Sequence, residues 1–303
     1  MANLYDLIII GAGPCGVTAA IYAVRNRLNV LILTKDIGGQ MAWSGLIENY
    51  SGYETTTGPD LTSKFEQHIR NLGAVIKDRE VVEKIEKEEK GFTIKTKKNV
   101  YNSKAVLIAS GKNPKYLQVP GEEHFKNKGV VYCAICDGPL YTNKTIAIVG
   151  GGNSALDATL QMVNIAKHIY LVTKNDHMKG DNIMLEKIKK YSNVQIVYNS
   201  LTKEIKGNKV VESIVLQTPE GEKELKVDGV FVQIGLIPNS QFIDMVEKNE
   251  YGEIIIDHEN RTNVPGIFAA GDVTHISEKQ IIIAAGEGSK AALTIFKYIM
   301  KNN

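Results

Sequence analysis

The sequence predicts an α/β protein of two three-layer nucleotide-binding domains, the second inserted into the first. Three observations carry this. A glycine-rich turn of one pattern occurs twice, each time after an apolar β-rich run and before a helical stretch. Short strands separated by turns follow each occurrence. A buried strand and a long apolar-faced helix at the C-terminal end are suited to return to the first domain.

In chain order, residues 5–10 (YDLIII) lead into Gly11-Ala12-Gly13-Pro14-Cys15-Gly16, and a helical stretch follows from Val17 to about Asn26. Residues 145–149 (TIAIV) lead into Gly150-Gly151-Gly152-Asn153-Ser154-Ala155, with a helical stretch to about Ala166. Glycines so placed permit a tight turn and let the backbone approach a pyrophosphate, which sits at the positive end of the helix. One such turn is a weak signal. Two, each followed by a second β-rich run (Asn29–Leu33 and His168–Val172), make a Rossmann-like unit twice over.

Further strands are expected over Phe92–Thr96, Ala105–Ala109, Val194–Tyr198, Ser213–Gln217 and Gly229–Ile234. Domain boundaries fall near Asn113–Tyr116 and near Ser240–Glu247, beside or soon after Pro114 and Pro238. The chain then divides into 1–114 with 246–303, and 115–245. Residues 267–273 (IFAAGDV) read as a buried strand with the Asp272 carboxylate at its end, able to accept a hydroxyl hydrogen bond. The last helix, from about Ala284 to Met300, places Ala292, Ile295, Phe296 and Ile299 on one face.

Composition excludes several classes. The 303 residues are 43% hydrophobic and 23% charged, which is ordinary globular usage rather than disorder or a fibre. The net charge is +2 and lysines are scattered among glutamates, so nucleic acid is excluded as the main partner. The uncharged stretch Leu7–Val24 is broken by three glycines and Pro14 and is preceded by Asp6 rather than by basic residues. It is therefore no signal anchor, no membrane association is expected, and the expected location is cytoplasmic. Three cysteines in a reducing compartment, two of them spaced C-x-x-C, point to redox chemistry or metal binding rather than a structural disulfide framework.

The segment Tyr132-Cys133-Ala134-Ile135-Cys136-Asp137-Gly138 carries most of the chemistry. Two cysteines three positions apart can close a small ring, and a helix start lowers a thiol pKa toward the working range. Asp137 is an acid suited to protonate a departing thiolate. Zinc is the alternative reading of C-x-x-C. A structural zinc site needs further ligands at comparable spacing, and the only other cysteine is Cys15, within the first glycine turn. Cys15 reads as a packed small hydrophobe. His124, His177 and His275 lie in polar segments and form no ligand cluster, and Trp43 reads as core or rim packing.

Gly11–Gly16, Gly38-Gly39-Gln40, Glu48-Asn49-Tyr50, Cys133–Gly138, Gly150–Ala155 and Ala270-Gly271-Asp272 stand in the order found in low-molecular-weight thioredoxin reductases, which the whole chain resembles. The stretches CDGPL, FVQIGLIPN, GEIIID and KQIIIAAGEG are similar to the reductase part of the alkyl hydroperoxide reductase flavoprotein subunit. That flavoprotein carries an additional N-terminal thioredoxin-like domain. This sequence starts within a few residues of the first strand, so electrons are expected to leave to a separate protein.

The resemblance implies FAD in the discontinuous domain 1–114 and 246–303, and NADPH or NADH in domain 115–245, which carries the redox disulfide. It implies that Gly11, Gly13 and Gly16 hold the FAD pyrophosphate, with Pro14 among the cofactor-binding residues. Gln40, Asn49 and Asp272 contact the flavin or its ribityl chain, Lys279 and Gln280 lie close to the ring, and Gly39, Ala109, Gly111 and Gly271 belong to the same cofactor-binding set. Gly150, Gly152, Asn153, Ser154 and Ala155 hold the nicotinamide nucleotide. Cys136 faces the flavin, Cys133 attacks the substrate disulfide, and Asp137 is the acid. The substrate is thioredoxin or a glutaredoxin-like protein, the assembly a homodimer, and the second domain rotates on the two linkers. Two rival readings are a reductase of the same fold driven by ferredoxin or a deazaflavin donor, and a non-catalytic flavin-binding redox sensor. The Gly150–Ala155 turn argues against the first, and Cys133, Cys136 and Asp137 together argue against the second.

Nucleotide choice departs from the resemblance. After its second strand an NAD site offers an acidic residue to the ribose 2′-hydroxyl, and an NADP site offers arginine to the 2′-phosphate. Thioredoxin reductases show an HRRxxxR pattern there. This chain has Thr173-Lys174-Asn175-Asp176-His177-Met178-Lys179. Lys174 and Lys179 are point charges without the planar fork of arginine. Weak discrimination with a lean toward NADPH is expected.

Overall fold

The computed structural model describes residues 4–44 and 46–302, with the side chain of Leu46 excepted. The fold class is the one expected, and the chain forms two compact units, Met1–Asn113 with Ile237–Asn303, and Pro114–Leu236.

In the first unit, the apolar run of the first strand, Leu4–Ala12, alternates between two cores. Leu7 and Ile9 face the cluster that contains Val17, Ala20, Ala291 and Ile295 of the helices Pro14–Arg25 and Ile281–Asn302. Ile8 and Ile10 face the cluster of Phe92, Ile94, Ile254 and Ile256. Burial on both faces is why this strand has no polar alternation. The parallel part of the sheet runs Val75–Lys77, Val30–Ile37, Leu4–Ala12, Val100–Ile108, and the last of these also pairs in parallel with Ile267–Ala269. The antiparallel strands Gly91–Thr96 and Val82–Glu88 continue it. The expected buried strand 267–273 ends early: it spans Ile267–Ala269, and Asp272 stands in the 3-10 turn Gly271–Val273.

The second unit repeats the plan. Its parallel sheet is ordered Val130–Val131, Gly229–Val232, Thr145–Val149, His168–Val172, Val194–Val197. Ile146 and Ile148 face the helix side with Leu156 and Met162, and Ala147 and Val149 face Ile205, Ile214 and Leu216 of an antiparallel three-stranded sheet. The helix after the second glycine turn spans Asn153–Met162, shorter than the expected stretch to Ala166, because Ile165 and Ala166 both donate their amides back to the Met162 carbonyl.

The segments Lys112–Pro114 and Leu236–Pro238 connect the units and pair as a two-stranded ribbon. The second junction falls at Leu236/Ile237 rather than at 245/246. Residues 237–245 belong with the first unit because Ser110 and Asn239 exchange side-chain bonds to each other's carbonyls (2.6 and 2.8 Å) and Ile243 is buried beside Val246 and Ile254.

Candidate active site

The first glycine turn is packed on its inner side and open on its outer side. Gly11 has φ +107°, and a Cβ there would stand 2.4 Å from the Ala109 carbonyl oxygen. A Cβ on Gly16 would stand 1.9 Å from the Gly11 oxygen, so helix and strand approach at backbone distance. A Cβ on Gly13 would meet nothing nearer than 3.9 Å. Gly13 is the N-cap of helix Pro14–Arg25 and offers no side chain to its first-turn amides. The helices Gly58–Asn71 and Asn182–Ile188, by contrast, are capped by Thr57 and Asp181. An uncapped helix start beneath an open glycine is an anion cradle.

The remaining residues expected around this cradle belong to the same unit. Gly39 precedes the short helix Gln40–Trp43, and Gln40 Nε2 donates to the Lys112 carbonyl at 2.8 Å. Asn49 Nδ2 donates to Gln280 Oε1 at 3.1 Å. Ala109 follows the strand Val100–Ile108, and a Cβ on Gly111 would meet nothing within 4 Å. Burial pushes the Asp272 carboxyl above its ordinary range against the opposing charges of Lys279 and Lys112, and it has no hydrogen-bond partner among the described residues. An acceptor of that kind suits the hydroxyls of a ribityl chain. Cys15 is buried in the core, and burial, then Asp272 and Glu287, push its thiol well up, which makes it inert.

Sequence reasoning missed a partly buried charge cluster here. Lys112 is only 6% exposed and pairs through Nζ with Glu253, which also accepts from Asn249 Nδ2. Burial pushes the Glu253 carboxyl up, but the bonds from Lys112 and Asn249 bring it below the ordinary range. Lys279 donates to the carbonyls of Thr274 and Ile276, and burial, then the charge of Lys112, bring it down to about 8. Nothing in the local sequence marks Lys112 or Glu253, because a solvated lysine and a buried one read alike.

In the second unit Cys133 and Cys136 form a disulfide with Cα atoms 5.3 Å apart. Cys133 is the N-cap of the short helix Ala134–Asp137, and its sulfur accepts the Cys136 amide at 3.2 Å. That donor favours a thiolate on Cys133 once the bond is open. Burial brings the neighbouring Asp137 carboxyl up to about 6, a value suited to delivering a proton near neutrality. The segment is fixed from its N-terminal side by two residues that the sequence did not single out. Tyr132 donates its hydroxyl to buried Glu122 (3.0 Å), which is itself held by the amides of Leu117 and Gln118, and the Tyr132 carbonyl accepts from Gln233 Nε2 (3.1 Å).

The second glycine turn has the same inside and outside as the first. A Cβ on Gly150 would stand 2.1 Å from the Gln233 oxygen and 3.0 Å from the Ala155 Cβ, whereas Gly152 has nothing within 4 Å. Helix Asn153–Met162 also lacks a side-chain cap. The loop after strand His168–Val172 is fastened to this turn, since the Lys179 amide donates to the Gly151 carbonyl (2.7 Å) and the Asp181 amide to Asn153 Oδ1 (2.7 Å). Asn153 thus uses its side-chain oxygen on the loop, and Ser154, Lys174 and Lys179 are exposed. Asp176 pairs with His177 at 2.6 Å and stays exposed. His124 and His275 are likewise exposed.

Both cradles fit a dinucleotide by the same tests: an open central glycine, a helix start without a cap, and inner glycines too close to backbone for a side chain. No group of three or more His, Cys, Asp or Glu arranged for a metal occurs among the described residues, and no described helix is long and apolar enough to cross a membrane.

The family of pyridine nucleotide-disulphide oxidoreductases matches residues 5–288. An alkyl hydroperoxide reductase subunit of Staphylococcus aureus (strain MRSA252) is 42% identical over 98% of this chain, which spans 60% of that protein's length. The thioredoxin reductase of Streptococcus pyogenes MGAS5005 superposes with a TM-score of 0.94 at 34% identity over 99% of this chain and 100% of its own. The thioredoxin reductase from Giardia duodenalis gives 0.93 at 31% over 98% and 99%. With the two cradles and the disulfide in place, these matches show that the chain belongs to the pyridine nucleotide-disulphide oxidoreductase family and has the fold of its thioredoxin reductases.

Proposed function

We propose that the protein is an FAD-dependent reductase that takes electrons from NADPH or NADH and delivers them through Cys133 and Cys136 to the disulfide of thioredoxin or a glutaredoxin-like protein. The observation that carries this is the Cys133–Cys136 disulfide beside Asp137, in a unit that also holds a dinucleotide cradle. FAD, when bound, supplies the two-electron relay between nicotinamide and disulfide. Gly11, Gly13 and Gly16 with the amides of helix Pro14–Arg25 hold its pyrophosphate, and Asp272, Gln40 and Asn49 its ribityl and ring side. In the dithiol state the Cys133 thiolate attacks the partner disulfide, displaces one partner thiolate and forms a mixed disulfide. Cys136 then attacks Cys133, releases the second partner thiolate and restores the intramolecular bond. The exchange is feasible because a thioredoxin-type acceptor lies near about −270 mV, and about 30 mV corresponds to only ~1.4 kcal/mol.

Anaerobic addition of NADPH, NADH or reduced ferredoxin to the yellow holoprotein tests the donor. Bleaching by a nicotinamide nucleotide is expected. Bleaching by ferredoxin alone overturns the reading.

The cradle geometry separates two glycine variants. Gly13→Val is expected to fold with a stability within about 1 kcal/mol of wild type yet to purify without flavin, since the new side chain fills the open face of the turn. Gly11→Ala is expected to lower stability by roughly 2 kcal/mol or more, because its positive φ and the Ala109 carbonyl both oppose a side chain. Flavin absorbance and thermal unfolding of the two proteins give the check, and flavin retained in full by Gly13→Val would refute the cradle.

For the nucleotide, Lys174 and Lys179 offer exposed point charges, and no arginine stands between Thr173 and Asp181. The kcat/KM ratio for NADPH over NADH is therefore expected to favour NADPH by less than roughly a hundredfold, about 2.7 kcal/mol. A larger preference in either direction counts against this assignment. The working compartment is taken to be the cytoplasm, where thioredoxin-type partners are kept reduced. The assembly is taken to be a homodimer, and a scattering mass of one chain at micromolar concentration would refute it.

A further inference from the structure

The pair of buried Lys112 and half-buried Glu253 takes no part in disulfide exchange. Replacing such a pair by apolar residues is commonly neutral or stabilising, so stability alone does not account for it. Its neighbours suggest what it does. Glu253 receives Lys112 Nζ and Asn249 Nδ2, while Lys279 Nζ stands 3.9 Å from the same Oε1 that Lys112 occupies, outside hydrogen-bond reach. Lys279 instead donates to the carbonyls of Thr274 and Ile276, in the segment that follows Asp272. The Lys112 carbonyl also receives Gln40 Nε2 at 2.8 Å. One residue thus holds two of those assigned above to the flavin pocket, Gln40 directly and Lys279 by occupying its competing acceptor.

We infer that Lys112 is a positioning residue: by taking Glu253 it keeps the Lys279 ammonium on the Thr274 and Ile276 carbonyls, available as the cation that electrons arriving on a bound flavin require nearby. This rests on the reading that the first cradle holds FAD. Without the Lys112 charge, Glu253 would be left a half-buried carboxylate with Lys279, already 3.9 Å away, as its nearest cation, and the attraction of a partly desolvated ion pair would draw Lys279 across. Reduction adds negative charge to the flavin, so withdrawing that cation makes reduction less favourable.

The test is a reductive titration of the flavin in purified holoproteins at pH 7, comparing wild type with K112M, K112R, K279M and K112M/E253Q. K112M and K279M are expected to shift the flavin couple toward the oxidised form at least tenfold, about 30 mV for two electrons. K112R, which keeps the charge, and K112M/E253Q, which removes the carboxylate that would capture Lys279, are expected within about threefold of wild type. An unmoved couple in K112M, whatever its thermal stability, overturns the inference. So does a tenfold shift in K112M/E253Q, which also decides the question if K112M fails to fold. A shift in K279M without one in K112M refutes the role of Lys112 and leaves the FAD assignment standing. No shift in K279M overturns the inference, since the flavin then does not sense the Lys279 charge, whereas protein that purifies without flavin and takes none up would instead refute the FAD reading.

Discussion

Cys136→Ser is expected to leave bleaching of the flavin by nicotinamide nucleotide intact while reduction of a thioredoxin-type disulfide falls roughly a thousandfold or more, at least about 4 kcal/mol on the barrier. The reason is the division of labour that the local geometry supports. The Cys133 sulfur caps the short helix and accepts the Cys136 amide, so the attacking thiolate remains stabilised in the variant. It retains the ability to open a partner disulfide, but the only thiol left to resolve the mixed disulfide is the displaced partner thiol, which restores the partner to its oxidised form. A single-cysteine partner activated as its thionitrobenzoate mixed disulfide, which has no such thiol, should therefore be captured as a covalent adduct of one partner per Cys133, visible by mass spectrometry without reductant and lost with it. Full turnover in Cys136→Ser would sink the two-cysteine mechanism, and an adduct on Cys133→Ser instead would reverse the two roles.

The second large effect is expected from Asp137→Asn, an isosteric change that removes the proton. Disulfide-reducing turnover should fall about 10²- to 10³-fold, within the usual range for loss of a positioned acid, with flavin bleaching unchanged. Wild type should show an inflection near pH 6, where Asp137 loses its proton, and the variant should not. The same burial sets the stability profile. Burial holds the native carboxyl at about 6 against an ordinary value of 3.8, so the native state keeps this proton more tightly than the unfolded chain. The preference favours folding at low pH and is lost as pH rises from about 4 to about 6. Asp137→Asn should therefore match wild type near pH 4 and exceed it above pH 6 by on the order of 2 kcal/mol. Chemical denaturation at both pH values gives the comparison, and a variant less stable than wild type at pH 7 would show that burial is not what governs the Asp137 carboxylate.

The parts of this protein legible in its sequence are those whose physics is local. Glycines at fixed spacing between an apolar strand and a helix announced both cradles, because turn geometry and helix polarity act over about six residues. The C-x-x-C pair with its following aspartate was equally plain, since three positions bring two sulfurs within bonding reach. Runs such as LIII and TIAIV read as apolar β-rich strands leading into the glycine turns, and the structure buries them on both faces at the centre of the parallel sheets.

What the sequence left open depends on groups distant in the chain. Asp272 was expected at a strand end and stands in a 3-10 turn, because the strand stops where its pairing with Val100–Ile108 stops. Residues 237–245 were assigned to the wrong side of a junction that only the bonds between Ser110 and Asn239 and the burial of Ile243 locate. Glu122 was overlooked, since its grip on Tyr132 exists only once the segment 117–122 folds beside the cysteines. Composition, glycine spacing and cysteine spacing by themselves determined the fold class and the redox pair. Tertiary structure alone decided that Lys112 and Glu253, 141 positions apart, meet in a pair in which Lys112 is buried and Glu253 half-buried, because a side chain's charge is written in the sequence but its desolvation is set by whatever the fold packs against it.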